Sequence, residues 1–160
     1  LSLGVSGNAG GALHSFRNDT ALSSANAPKR FGFGGVFGGL SGLLLSANAE
    51  WNGWSAMNGL AESEVKAVDG WDWGVGAEVR APSLFGREFP VRLGYRHRIL
   101  PFEANGEAVH EKDYSFGLGI PVSRGLSRVD LSVTRANRDS ALHDVQEHAW
   151  IMSFGFFIRP

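Results

Sequence analysis

Arg92, Arg96 and Arg98 stand at even spacings, so an extended chain puts all three guanidinium groups on one side. A ladder of this kind can grip carboxylates bidentately. Asp72, Glu78 and Arg80 share one face of the segment before it, and Asp130 occupies a similar place further on. Two chemistries follow. In one, Glu78 and Asp130 neutralise neighbouring arginines in an internal lattice, the commoner use of such charges. In the other, Arg92, Arg96, Arg98, Glu78 and Arg80 form a ligand-binding set that receives the carboxylate head group of an amphiphile.

Other polar groups offer less. His143, Asp144, Glu147 and His148 lie in a polar stretch without a recognised metal spacing and read as a solvated loop. His110-Glu111 adds nothing to them. Gly32-Phe33-Gly34-Gly35 has the glycines of a phosphate loop but no helix pattern after it. Cysteine is absent, and no serine sits in a Gly-x-Ser-x-Gly elbow. His97 and Ser115 are the loose candidates for a base and a nucleophile. No catalytic set, metal or cofactor is expected.

The elements that must carry the charges are strands. Trp71, Trp73, Val75, Ala77, Val79 and Ala81 alternate with Asp72, Gly74, Gly76, Glu78 and Arg80. Val91, Leu93 and Tyr95 alternate with the arginine ladder. Tyr114, Phe116, Leu118 and Ile120 alternate with Ser115, Gly117 and Gly119, and Val129, Leu131 and Val133 with Asp130, Ser132 and Thr134. The last segment sets Trp150, Met152, Phe154, Phe156 and Ile158 against Ile151, Ser153, Gly155 and Phe157. Phe31, Phe33 and Phe37, the run from Leu43 to Trp51, and Leu1, Leu3 and Val5 complete a set of about eight strands of about 9–11 residues each.

Connections near 38–41, 82–88 and 121–127 are short; those near 8–28, 58–70, 101–112 and 137–147 are longer and more polar. Short turns on one side and long loops on the other match an outer-membrane barrel, whose last strand runs down to the periplasm. Trp51, Trp54, Trp71, Trp150 and Phe157 stand near strand ends, as interfacial girdles require. Charges are expected to point inward, since Arg or Lys facing lipid at the midplane costs about 2–4 kcal/mol. No run reaches the roughly 20 apolar residues of a membrane helix, and a net charge of -1 argues against nucleic acid. Glycine, at 22 residues, suits a crowded sheet, and the 11 Phe and 5 Trp beside it argue against disorder.

The order of motifs from Pro90 onward resembles the outer-membrane transporters of the FadL/TodX type. Pro90-Val91-Arg92-Leu93-Gly94-Tyr95-Arg96, Leu100-Pro101-Phe102 and Asn105-Gly106 carry it first. Asp113-Tyr114-Ser115-Phe116-Gly117-Leu118-Gly119-Ile120-Pro121, Val129-Asp130-Leu131-Ser132 and Glu147 follow, with Ala49-Glu50-Trp51 and Trp54-Ser55 upstream. The resemblance implies a larger barrel with an N-terminal plug, passing hydrophobic molecules such as long-chain fatty acids or aromatic hydrocarbons. Residues 1–160 would then be the C-terminal segment of one barrel domain, lacking the plug and first strands. Arg159-Pro160 departs from the usual terminal Phe of such barrels.

The expectation is therefore an all-β, antiparallel up-and-down transmembrane barrel in the bacterial outer membrane. It would be a passive channel for hydrophobic solutes, not an enzyme, and monomeric at full length. Its partners would be outer-membrane lipid, lipopolysaccharide and hydrophobic small molecules, with no nucleic acid. The alternative is a self-contained eight-stranded barrel with an anchoring or adhesion role.

Overall fold

The computed structural model describes residues 1–59, 66–80, 88–104, 106–122, 127–139 and 146–158. Ten strands form in chain order: β1 (Ser2–Asn8), β2 (Ala12–Arg17), β3 (Thr20–Asn26), β4 (Arg30–Leu40), β5 (Leu43–Asn52), β6 (Gly70–Arg80), β7 (Pro90–Ala104), β8 (Glu107–Val122), β9 (Ser127–Asp139) and β10 (Gln146–Ile158). Eight of them make one antiparallel up-and-down sheet, ordered β1-β4-β5-β6-β7-β8-β9-β10. The sheet is open: β1 and β10 are its two edges. No helix among the described residues is long and apolar enough to cross a membrane.

The period-two alternation is what sorts the two faces, because opposed residues in an antiparallel pair share a side. On one face Val75, Tyr95, Tyr114, Arg135 and Trp150 lie opposite one another from β6 to β10. Ala77, Leu93, Phe116, Val133 and Met152 form the next row. On the other face Glu50, Asp72, Arg98, Glu111, Arg138 and Glu147 align across β5 to β10.

Neither face holds an ordinary core. Leu100, Val109 and Ala136 are the buried apolar side chains among the described residues, and Glu111 is the buried charged one. Met152, Phe154 and Ile158 are 83, 71 and 70 % exposed. Burying each such side chain is worth about 1.5–3 kcal/mol. A sheet that leaves so many uncovered needs an apolar medium or partner on that face.

Three expectations about the connections change. The region 8–28 is not a plain loop, since β2 and β3 form a separate hairpin inside it. Its turn places Asn18 and Asp19 at φ 47° and 61°, the left-handed pair of a type I′ turn. The hairpin packs on a 3-10 turn, Trp54–Met57, in the 53–69 connection. Asn58 ties that connection together: its Nδ2 donates to the Ala67 carbonyl at 2.9 Å and its Oδ1 accepts from the Ala67 N–H at 2.7 Å.

The region 101–112 is also strand. β7 continues to Ala104 and β8 starts at Glu107, with Gly106 at φ +82° between them. Pairing skips from Ile99↔His110 to Glu103↔Ala108, and this irregularity takes up Pro101, which has no N–H for the ladder. The extension corrects the lengths too: β7 to β10 have 15, 16, 13 and 13 residues, more than the 9–11 expected. Residues 81–87, 123–126 and 140–145 lie outside the described set, so the short turn expected at 82–88 and the loop histidine His143 with Asp144 do too.

Candidate functional site: the charged face of the sheet

The charged face is built as two belts with a gap between them. The belt nearer the long connections centres on Glu111, whose side chain has no solvent exposure. Arg98 on β7 and Arg138 on β9 pair with its two carboxylate oxygens from either side. Arg138 also reaches Glu147 on β10 at 3.5 Å. The reason is register: Arg98, Glu111, Arg138 and Glu147 are mutually opposed, so opposite charges alternate across four strands. Asp72 belongs to the same row but turns diagonally to Arg96, accepting from its Nε at 2.7 Å.

The second belt lies toward the short turns. Arg92 Nε donates to Glu78 Oε2 at 2.7 Å, and its Nη1 lies 3.1 Å from Asp130 Oδ1. Asp130 is two strands away. Between them β8 presents Gly117 opposite Arg92 and Gly119 opposite Asp130. A Cβ on Gly119 would fall 2.5 Å from Pro90 Cγ and 2.9 Å from Asp130 Oδ1. Glycine there is a condition of the long reach. Arg128 closes the belt, with Nη2 at 2.8 Å from Asp130 Oδ2 and its guanidinium over the Phe157 ring at 5.1 Å.

Between the belts the face is small and polar. Ser46, Asn48, Gly74, Gly76, Gly94, Arg96, Asp113, Ser115 and Thr134 line an open concavity of about 440 Å³. A second, of about 580 Å³, shares Ser46 and Asn48 and continues over Gly4, Gly32 and Gly34 toward β1. Side-chain bulk is low along this trough, which crosses the sheet roughly at right angles to the strands. Its polar lining can hydrogen-bond a head group or a length of polypeptide.

All five residues proposed from the sequence lie on this face. Arg92 and Glu78 are brought together directly; Arg96 and Arg98 each meet a carboxylate instead of an open space. Arg80 is exposed at the short-turn end with no ion pair among the described residues. An incoming carboxylate would have to compete with Asp72, Glu78, Glu111 or Asp130 for these arginines. His97 and Ser115 fall on opposite faces: His97 opposes Trp73, while Ser115 opposes Gly94. They cannot act on one substrate together.

In the sequence Glu111 stands out only beside His110, as a weak metal candidate, and Arg138, Asp113, Ser46 and Asn48 carry no site role. Alternation would have placed Glu111 and Asp113 on the inner side had β8 been started at Glu107, and Arg138 had β9 been carried to Asp139; Ser46 and Asn48 already alternate with the apolar side chains of β5. Comparison with protein families, curated proteins and solved structures found no match. The transporter resemblance therefore rests on its motifs and belongs with the proposals that follow.

Proposed function

We propose that this chain forms the wall of an outer-membrane β-barrel, with the charged face lining an interior passage for hydrophobic or amphiphilic solutes. The observation that carries the reading is the segregation of the two faces. Among the described residues, the carboxylates and guanidinium groups of the two belts share one side. The other side exposes Trp71, Trp73, Leu93, Phe116, Met152 and Phe154. On β10 the outward side chains are apolar from Trp150 to Ile158, a stretch within the range of about 9–11 residues for a tilted membrane strand. Rings cluster at one end: Trp73 with Tyr95 at 5.3 Å and Tyr95 with Tyr114 at 5.2 Å, as an interfacial girdle does.

The solute class follows from the FadL/TodX resemblance and from the low bulk of the trough. Hydrophobic molecules with a polar head, long-chain fatty acids among them, would pass over it, the head group meeting its polar lining near the Arg96–Asp72 pair. The edges β1 and β10 would each pair with further strands, because unpaired edge groups in lipid cost several kcal/mol. The test is uptake of a hydrophobic fluorescent probe into vesicles containing the full-length barrel. Uptake above the empty-vesicle rate is expected, and uptake at that rate would remove the channel reading.

The count of eight strands in the main sheet favours a second reading, a small closed barrel that anchors or adheres. That reading needs β1 to pair with β10. Because the chain has no cysteine, Gly4→Cys with Ser153→Cys is a clean probe. A disulfide forming in the refolded monomer supports the small barrel, and its failure to form supports the larger one.

A further inference from the structure

Resting on the membrane-barrel reading, a patch on the lipid-facing side deepens it. Lys112, Asn137 and His148 oppose one another across β8, β9 and β10, and Tyr114, Arg135 and Trp150 form the row beneath. Arg92, Arg96, Arg98, Arg128 and Arg138 on β7 and β9 each meet a carboxylate. Arg135 does not, among the described residues. Its Nε donates to Asn137 Oδ1 at 3.1 Å and its guanidinium lies over the Trp150 ring at 5.7 Å. The His148 ring nitrogen meets the same Asn137 oxygen at 2.8 Å. The outer part of the Arg135 fork is thus held in place without a counter-charge.

Lys112 adds a second cation, shared with Asp139 at 3.2 Å, and the His97 and His110 rings, tilted to each other with ring nitrogens 3.3 Å apart, lie beside it. Just below comes the apolar row of Phe116 and Met152, 47 and 83 % exposed. One cation above, an arginine within the aromatic level, and apolar surface below match a lipid with an anionic head. The patch lies at the end of the sheet that carries the long connections, which the barrel reading assigns to the outer leaflet. We propose that Arg135 and Lys112 bind the phosphate of a phosphorylated glycolipid there, lipopolysaccharide through its lipid A portion, whose acyl chains lie on Phe116 and Met152. Guanidinium forks suit phosphate, and girdle positions place them at head-group depth.

The experiment refolds the full-length barrel into neutral phosphatidylcholine vesicles, scores folding by the heat-shifted gel band, then titrates lipid A or its dephosphorylated form. Tryptophan emission and native mass spectrometry read binding. Lipid A is expected to bind about tenfold more tightly than the dephosphorylated lipid, the factor contributed by one charge-assisted contact. Arg135→Gln with Lys112→Gln should bring that ratio to about one, with the heat-shifted band kept; Lys112→Gln alone should lower it part-way. Equal binding of both lipids, an unchanged ratio in the double variant, or full displacement by inorganic phosphate would overturn the proposal. Failure of the wild-type full-length barrel to fold in neutral vesicles would instead strike the barrel reading itself, and the lipid site with it.

Discussion

Arg92 on β7 lies 3.1 Å from Asp130 on β9, across a strand that contributes only Gly117 and Gly119 at the positions between. Side-chain space on the middle strand decides whether charges two strands apart can meet. Gly117, Gly119 and the Arg92–Asp130 pair are therefore one device.

A substitution at Gly119 tests this coupling. The Pro90 ring cannot swing away from a Cβ only 2.5 Å distant, so Gly119→Ala must shift backbone or break the Arg92–Asp130 contact. Overpacking of this kind costs about 1–3 kcal/mol. Gly4, with nothing within 4 Å of an added Cβ, is the control. Urea unfolding midpoints in detergent should fall for Gly119→Ala and stay put for Gly4→Ala.

Glu111 is the carboxylate on which the other belt depends. Glu111→Gln would leave the partly exposed Arg98 and Arg138 sharing a neutral amide, and losing two charge-assisted hydrogen bonds at a buried acceptor costs about 1–3 kcal/mol. Glu147, two-thirds exposed, contacts Arg138 only at the edge of the row. Glu147→Gln is expected to change stability by about 0–1 kcal/mol. Comparable losses from both variants, in the same unfolding measurement, would contradict the bridging role.

Filling the trough should stop passage without unfolding the sheet. Ser115 and Thr134 face one another across β8 and β9 on its floor. Ser115→Trp or Thr134→Trp is expected to bring probe uptake down to the empty-vesicle rate while the heat-shifted band persists. Unchanged uptake in both would place the solute route elsewhere.

The strands and their faces were legible because alternation is local: Trp71 to Val79 can be assigned without knowing any partner. The same rule put Arg92, Arg96, Arg98, Glu78 and Arg80 on one side. The use of those charges was not legible. Whether Arg98 meets a ligand or Glu111 depends on the register of β7 with β8, fixed by pairing far apart in sequence. Pro101 concealed it further, because a proline in the middle of an alternating run reads as a break, while here an irregularity absorbs it. The β2–β3 hairpin had a signal in Asn18-Asp19, but its flanks, rich in Ala and Ser, alternate too weakly to stand out.

The central claim is that the apolar face meets lipid and the charged face does not. A chain without cysteine lets single cysteines at Tyr95, Leu93, Phe116 and Phe154, and at Gly94, Ser115 and Ser132, be spin-labelled in vesicles one at a time. Accessibility to oxygen, which concentrates in lipid, and to a water-soluble nickel chelate is then read at each position. Oxygen access is expected to be high at the first four sites and low at the other three, alternating with period two along β7 and β8. High nickel access at Leu93, Phe116 and Phe154, equal to that at Ser115, would contradict the account.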